Sequence, residues 1–128
     1  MREVKFRVWD EYLKMFLDWE DTLNDYGWEC VTKSDAFEIV QYAGLKDKNG
    51  VEIYEGDVIP LTTIEETSYE WIEDVSKNYV VKFISGGFAL HKDGVMPYGS
   101  WYWLHDRAHT VEVIGNIYEN PELLDTKK

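Results

Sequence analysis

The chain has 128 residues, 45% of them hydrophobic and 16% aromatic, and a formal charge of −12. This length gives one domain whose core needs no disulfide or metal staple, and the apolar content excludes a disordered chain, which would combine high charge with low hydrophobicity. The acidity argues against direct binding of DNA or RNA, because generic affinity comes from Lys and Arg that displace phosphate counterions and the sequence holds no basic patch.

Cys30 is the only cysteine, so an internal disulfide is excluded and a reducing cytoplasm is the expected compartment. Residues 1–7 alternate charged and apolar side chains, unlike the continuous apolar stretch of a signal peptide. No run of about 18 uncharged apolar residues exists to span a membrane. The charge is unevenly spread. From Asp10 to Glu38 there are nine acids against two bases, Lys14 and Lys33; from Glu65 to Asp74 there are five acids and no base; the remainder balances at 11 and 11.

At the start of the chain Val4, Phe6 and Val8 alternate with Lys5, Arg7 and Trp9, the period of a half-buried strand, and 14–17 reads as the return of a hairpin. Residues 18–35 lose the pattern, and Asn24, Asp25 and Gly27 among the acids and rings predict a loop with one helical turn. A strand follows over 36–42. Asp47-Lys48-Asn49-Gly50, set between Leu45 and the apolar Val51 and Ile53, is a tight hairpin, because Asn and Gly tolerate the positive φ such turns need. Gly56-Asp57 makes a second corner before Val58-Ile59, and Pro60 marks a strand end or an edge.

Over 62–77 the period changes. Ile64, Trp71, Ile72 and Val75 fall on one helical face, and Thr62 with Glu65, or Thr63 with Glu66, would cap its start, so a helix is predicted. A strand pair competes, because Thr67, Tyr69 and Trp71 also alternate. Beyond it come a strand over 79–84, a turn at Gly86-Gly87, a return over 88–91, turns at Asp93-Gly94 and 97–99, an aromatic run over 101–105, and a closing strand over 110–118 that ends at Asn120-Pro121. Many short strands between turns predict a mainly β, α+β domain, a barrel or sandwich with one inserted helix.

Three stretches resemble the YopX family of phage- and prophage-encoded proteins: 2–10 (REVKFRVWD), 41–59 (QYAGLKDKNGVEIYEGDVI) and 113–124 (VIGNIYENPELL). Ala43 stands where threonine is the commoner residue, and 17–36 and 60–78 match no family block. The resemblance implies an SH3-like β-barrel with an N-terminal hairpin, a phage or prophage origin, a bacterial cytoplasmic location, and no catalytic residues. On this reading 1–36 forms the hairpin and acidic loop, 37–120 the barrel with its helix, and 121–128 a short tail. The motif residues themselves read as structural: Asn49, Gly50, Gly56 and Asp57 make turns, and Tyr42, Ile53 and Tyr54 pack.

Candidate chemistry is sparse. His105 and His109 would share a face only on a helix, and no helical pattern covers them. Asp18, Glu20 and Asp21 suggest calcium, but Leu23 stands where the EF-hand loop needs glycine. Ser100 lacks the flanks of a nucleophile elbow, Cys30 has no basic neighbour nearer than Lys33, and Gly86-Gly87 lacks the lysine and helix of a phosphate loop. No catalytic residue, metal site or cofactor is predicted.

The six tryptophans remain. Trp101-Tyr102-Trp103 cannot all face one way in a strand, and large exposed rings mark partner surfaces unless the core or a second subunit covers them. Trp19, Trp28, Trp101 and Trp103, with Asp18, Glu20 and Asp21, are the candidate contact residues. The leading expectation is a non-enzymatic protein-interaction module whose partner is a second copy of itself, a host protein or a phage factor. One alternative is an acidic imitation of the DNA backbone that occupies a host nucleic-acid-binding protein. The other is an enzyme of unrecognised kind.

Overall fold

The computed structural model describes residues 4–66, 72–84, 86–91 and 102–124. Nine strands form two antiparallel sheets among these residues, one of them curled like a half-barrel. The first sheet has the order β2-β1-β3-β4, from β1 (Phe6–Asp10), β2 (Met15–Asp18), β3 (Phe37–Lys46) and β4 (Glu52–Tyr54). The second has the order β8-β7-β6-β5-β9, from β5 (Asp57–Glu66), β6 (Ile72–Ile84), β7 (Gly87–His91), β8 (Tyr102–Trp103) and β9 (Gly115–Asn116). Helices α1 (Trp19–Tyr26) and α2 (Trp28–Lys33) join β2 to β3 and pack on the first sheet. No helix among the described residues is long and apolar enough to cross a membrane.

The alternation in β1 places its side chains as the period requires. Phe6 meets Trp19 of α1, with ring centroids 4.9 Å apart, while Trp9 lies on the opposite face against Phe16 and Tyr118. In the second sheet Ile59 and Leu61 of β5, Tyr79 and Val81 of β6 and Leu90 of β7 share one face. With Ile53, Leu104, Ala108 and Val111 they form the main core. Each fully buried aliphatic chain of this kind contributes about 1.5–3 kcal/mol.

Four expectations are corrected in whole or in part. The helix predicted over 62–77 is absent from its described parts: β5 runs to Glu66, β6 starts at Ile72, and their ladder extends from Val58↔Val80 to Glu66↔Ile72. Ile64, Trp71, Ile72 and Val75 fit one helical face, but the competing strand pair is what forms, and its ladder satisfies every second backbone group across strands where a helix would have done so locally. Thr67, Tyr69 and Trp71 lie outside the described residues, as do the turns at 93–94 and 97–99 and Ser100.

The region read as a loop, 18–35, holds the helices instead. Asp18 caps α1 by accepting from the Asp21 N–H at 3.0 Å, and Trp19, Thr22, Leu23 and Tyr26 stand at i, i+3, i+4 and i+7. Gly27, at φ 86°, ends α1 and begins α2. The closing strand shrinks to Gly115–Asn116, because the chain before it makes a 3-10 turn over Ala108–Thr110 and then donates the Val113 N–H to a side chain, Asp47, and not to a strand.

Pro60 does not end its strand. It pairs with Asn78 in mid-β5, beyond the two residues that β9 covers. Val58 accepts from Ile114 on the β9 side, so the even residues of β5 address that edge and the missing N–H of Pro60 leaves no broken ladder bond.

Candidate functional site

Two places concentrate polar or aromatic side chains. The first is a buried junction. Asp47 is 5% exposed, and its Oδ1 accepts from the Asn49 and Val51 N–H groups at 2.8 and 2.9 Å while its Oδ2 accepts from Val113 at 2.9 Å. Burial opposes its charge, but the three donors, from Val113, Val51 and Asn49, outweigh it and hold the carboxyl below the usual range. The Lys48 N–H donates to the Val111 carbonyl, completing a tie between the hairpin and the C-terminal segment.

Asp57 is the other buried carboxyl of this junction. It accepts from the Tyr54 N–H at 2.8 Å and from Arg7 Nη2 at 3.0 Å. Burial pushes it up to about 6, against those two donors. Arg7 lies between the rings of Phe16 and Tyr54, 4.0 and 4.2 Å from their centroids, and its buried Nε has no hydrogen-bond partner. Stacking therefore holds the guanidinium as much as its carboxylate does. Lys5 pairs with Glu52 nearby. Tyr118, pushed up to about 12 by burial and by Glu38 and Glu55, packs on Trp9 and Phe16.

Gly56 sits beneath that tyrosine at φ 92°. Its N–H donates to Val81, its carbonyl accepts from Ile117, and a Cβ there would stand 2.8 Å from Tyr118 Cε2. Asn116 closes the C-terminal turn by accepting from the N–H groups of Tyr118 and Glu119. These polar groups are directed at one another and at backbone N–H groups. The junction is a structural joint.

The second place is a groove of about 550 Å³ between the sheets. Its walls are Gln41, Ala43, Gly44 and Leu45 of β3, Phe83, Gly86, Gly87 and Phe88 of the β6–β7 hairpin, and Trp103 with His105. Phe83 and Phe88 are cross-strand partners with rings 5.1 Å apart and edge to face, and Phe83 remains 53% exposed. Trp103 pairs with Ala89, yet its ring leans along β7 to cover Gly87, where a Cβ would approach Cζ3 to 2.8 Å. Glycine at 87 is thus what lets the indole lie on the strand. Among the described residues the walls carry rings, short aliphatic chains, one amide and one imidazole, with no carboxylate, thiol or hydroxyl. Such a surface suits apolar and planar groups, with Gln41 and His105 as its polar members.

The family model for the YopX protein matches residues 5–125. The chain belongs to the YopX family. The solved structure described as "Crystal structure of protein EF1440 from Enterococcus faecalis" is similar to it at 24% identity and a TM-score of 0.60, covering 98% of this chain and 100% of that one. At that identity the likeness concerns the fold alone. Among curated proteins nothing matches. In this YopX chain the three family-like stretches meet in the junction: Arg7 reaches Asp57, Asp47 reaches Val113, and Tyr118 covers Gly56.

The candidate residues named from sequence do not form one site. Trp19 and Trp28 stand edge to face, 5.9 Å apart, on the helices of the first sheet, and Trp28 is 63% exposed. Asp18 is the α1 cap, and Glu20 and Asp21 occupy that helix's first turn, where acids offset its dipole. Trp103 alone joins the groove, while Trp101 lies outside the described residues. His105 and His109 lie in successive 3-10 turns, both exposed. Among the described residues no three His, Cys, Asp or Glu side chains gather as a metal site would require. Sequence reasoning missed Phe83, Phe88, Gly87 and Gln41; the only trace was a double glycine between strands that each carry a phenylalanine.

Proposed function

We propose that this YopX-family chain is a non-enzymatic protein-interaction module, phage- or prophage-derived and working in a bacterial cytoplasm. Its groove takes an extended segment of a protein partner. The observation that carries the reading is the groove lined by Phe83, Phe88 and Trp103, with Phe83 half in solvent. Its volume falls in the range of roughly 300–1,000 Å³ typical of ligand clefts, and aromatic anchors in such clefts supply most of the binding energy at interfaces. The lone, exposed Cys30 suits a reducing compartment.

The test compares proteins retained from bacterial lysate by the wild-type chain and by Phe83→Ser, which removes an exposed ring without opening the core. Loss of specific bands from the variant supports the reading; identical profiles would overturn it.

The acidic-mimic reading rests on the charge surplus. Several acids of the first stretch are accounted for as caps and local ion pairs. Of the second stretch, the described acids Glu65, Glu66, Glu73 and Asp74 lie in the β5–β6 ladder of the other sheet. It is the weaker reading.

A further inference from the structure

The β1–β2 turn presents its side chains on a fixed frame. Asp10 Oδ1 accepts from the Tyr12 and Leu13 N–H groups at 2.8 and 2.9 Å, the Asp10 carbonyl accepts from Lys14, and Lys14 adopts φ 57° to close the turn. The Glu11 N–H donates to Ala36, pinning the turn to the entry of β3. Between the charged Glu11 and Lys14 the two central residues displayed are apolar: Tyr12 is 84% exposed and Leu13 63%.

The apolar surface continues across the sheet end. Met15 and Phe37 are the register partners of Asp10 on either side, and Tyr26 of α1 stacks on Phe37 at 5.2 Å. Met15 is 48% exposed and Tyr26 53%. Single exposed apolar residues are ordinary, but four at one end of a sheet are a patch.

The stretch of chain that carries the patch has a negative surplus. Nine acids and two bases between Asp10 and Glu38 leave seven negative charges over. Both bases are already held by their own neighbours, Lys14 by Glu11 at 3.1 Å and Lys33 by Glu29 at 3.2 Å. An incoming group thus meets apolar area in a negative field, which attracts cations and repels acidic surfaces.

We propose that this sheet end, through Tyr12, Leu13, Met15 and Tyr26, docks a protein segment whose apolar side chains are flanked by Lys or Arg. The inference is independent of the groove, which lies between β3 and the β6–β7 hairpin.

The probe is a peptide of mixed Leu and Lys residues titrated into the full chain by calorimetry, with a Leu and Glu peptide of equal length as control. Saturable binding of the Leu–Lys peptide is expected, weakening roughly tenfold from low to about 0.5 M salt. A further loss of about tenfold is expected in Tyr12→Ser/Leu13→Ser, and a comparable loss in Asp25→Lys/Asp35→Lys, which changes charge without touching the turn. Retained circular dichroism and melting temperature show each variant folded. The proposal is overturned if the Leu–Lys peptide does not bind, if both peptides bind alike, if neither double variant weakens binding, or if Phe83→Ser alone removes it.

Discussion

Asp47 and Asp18 both accept hydrogen bonds from backbone N–H groups, but over very different spans. Asp18 serves the Asp21 N–H within its own helix, in view of solvent. Asp47 is buried and collects three donors, one of them from Val113, 66 residues away. The first carboxylate starts a helix that its neighbours would allow in any case. The second holds together two parts of the chain that nothing local brings together. Acids of the same type and formal charge are in one region surface capping groups and in the other the joint of the fold.

The largest effect should come from Asp47→Ala, which strands three backbone donors near the core. Each costs about 1–3 kcal/mol when left unsatisfied, so a loss of about 4 kcal/mol is expected in urea unfolding after relaxation and water entry. A loss under about 1 kcal/mol would mean that the joint is not where the stability lies.

Asp57 gives an effect of the opposite sign with pH. Its folded pKa, near 6, lies above the unfolded value of about 3.9, so its contribution is complete below pH 4 and is lost as pH rises through 6. That difference is on the order of 3 kcal/mol. Wild-type unfolding free energy should fall from about pH 4 to about pH 7 relative to Asp57→Asn, whose dependence over that window should be flatter. Parallel curves would remove Asp57 from the explanation. Asp47, with its depressed pKa, works the other way and loses its contribution only in more acid solution.

The smallest effect belongs to the helical insert. Asp18→Ala removes one exposed cap and should cost about 1 kcal/mol in the same urea experiment. If it matched Asp47→Ala, the contrast between local and long-range capping would collapse.

Much of the fold could be read from residue pattern. The alternation of Phe6 and Val8 against Arg7 and Trp9, the Asp47–Gly50 hairpin and the β6–β7 return all concern neighbours in sequence, where a period or a turn residue has a direct local meaning. The helices of 19–33 were also signalled, by a cap at Asp18 and apolar residues one turn apart, but the density of acids and turn formers masked them. Residues 62–77 failed for a different reason: one set of residues fits a helical face and another alternates, and the pairing of the segment's two halves with each other, the competing strand pair, decides between them.

The candidate groove was scarcely legible at all. Phe83 and Phe88 looked like ordinary strand residues, and Trp103 was singled out only as one ring among six.

Composition, period and turn chemistry were enough to establish a small acidic β-rich domain with corners at Asn49-Gly50 and Gly56-Asp57, because each of these depends on residues within a few positions of one another. Which carboxylates become buried joints, and which rings line an opening, depended on the meeting of segments up to 66 residues apart. Burial and hydrogen-bond satisfaction are properties of that meeting. No single stretch of chain carries them alone.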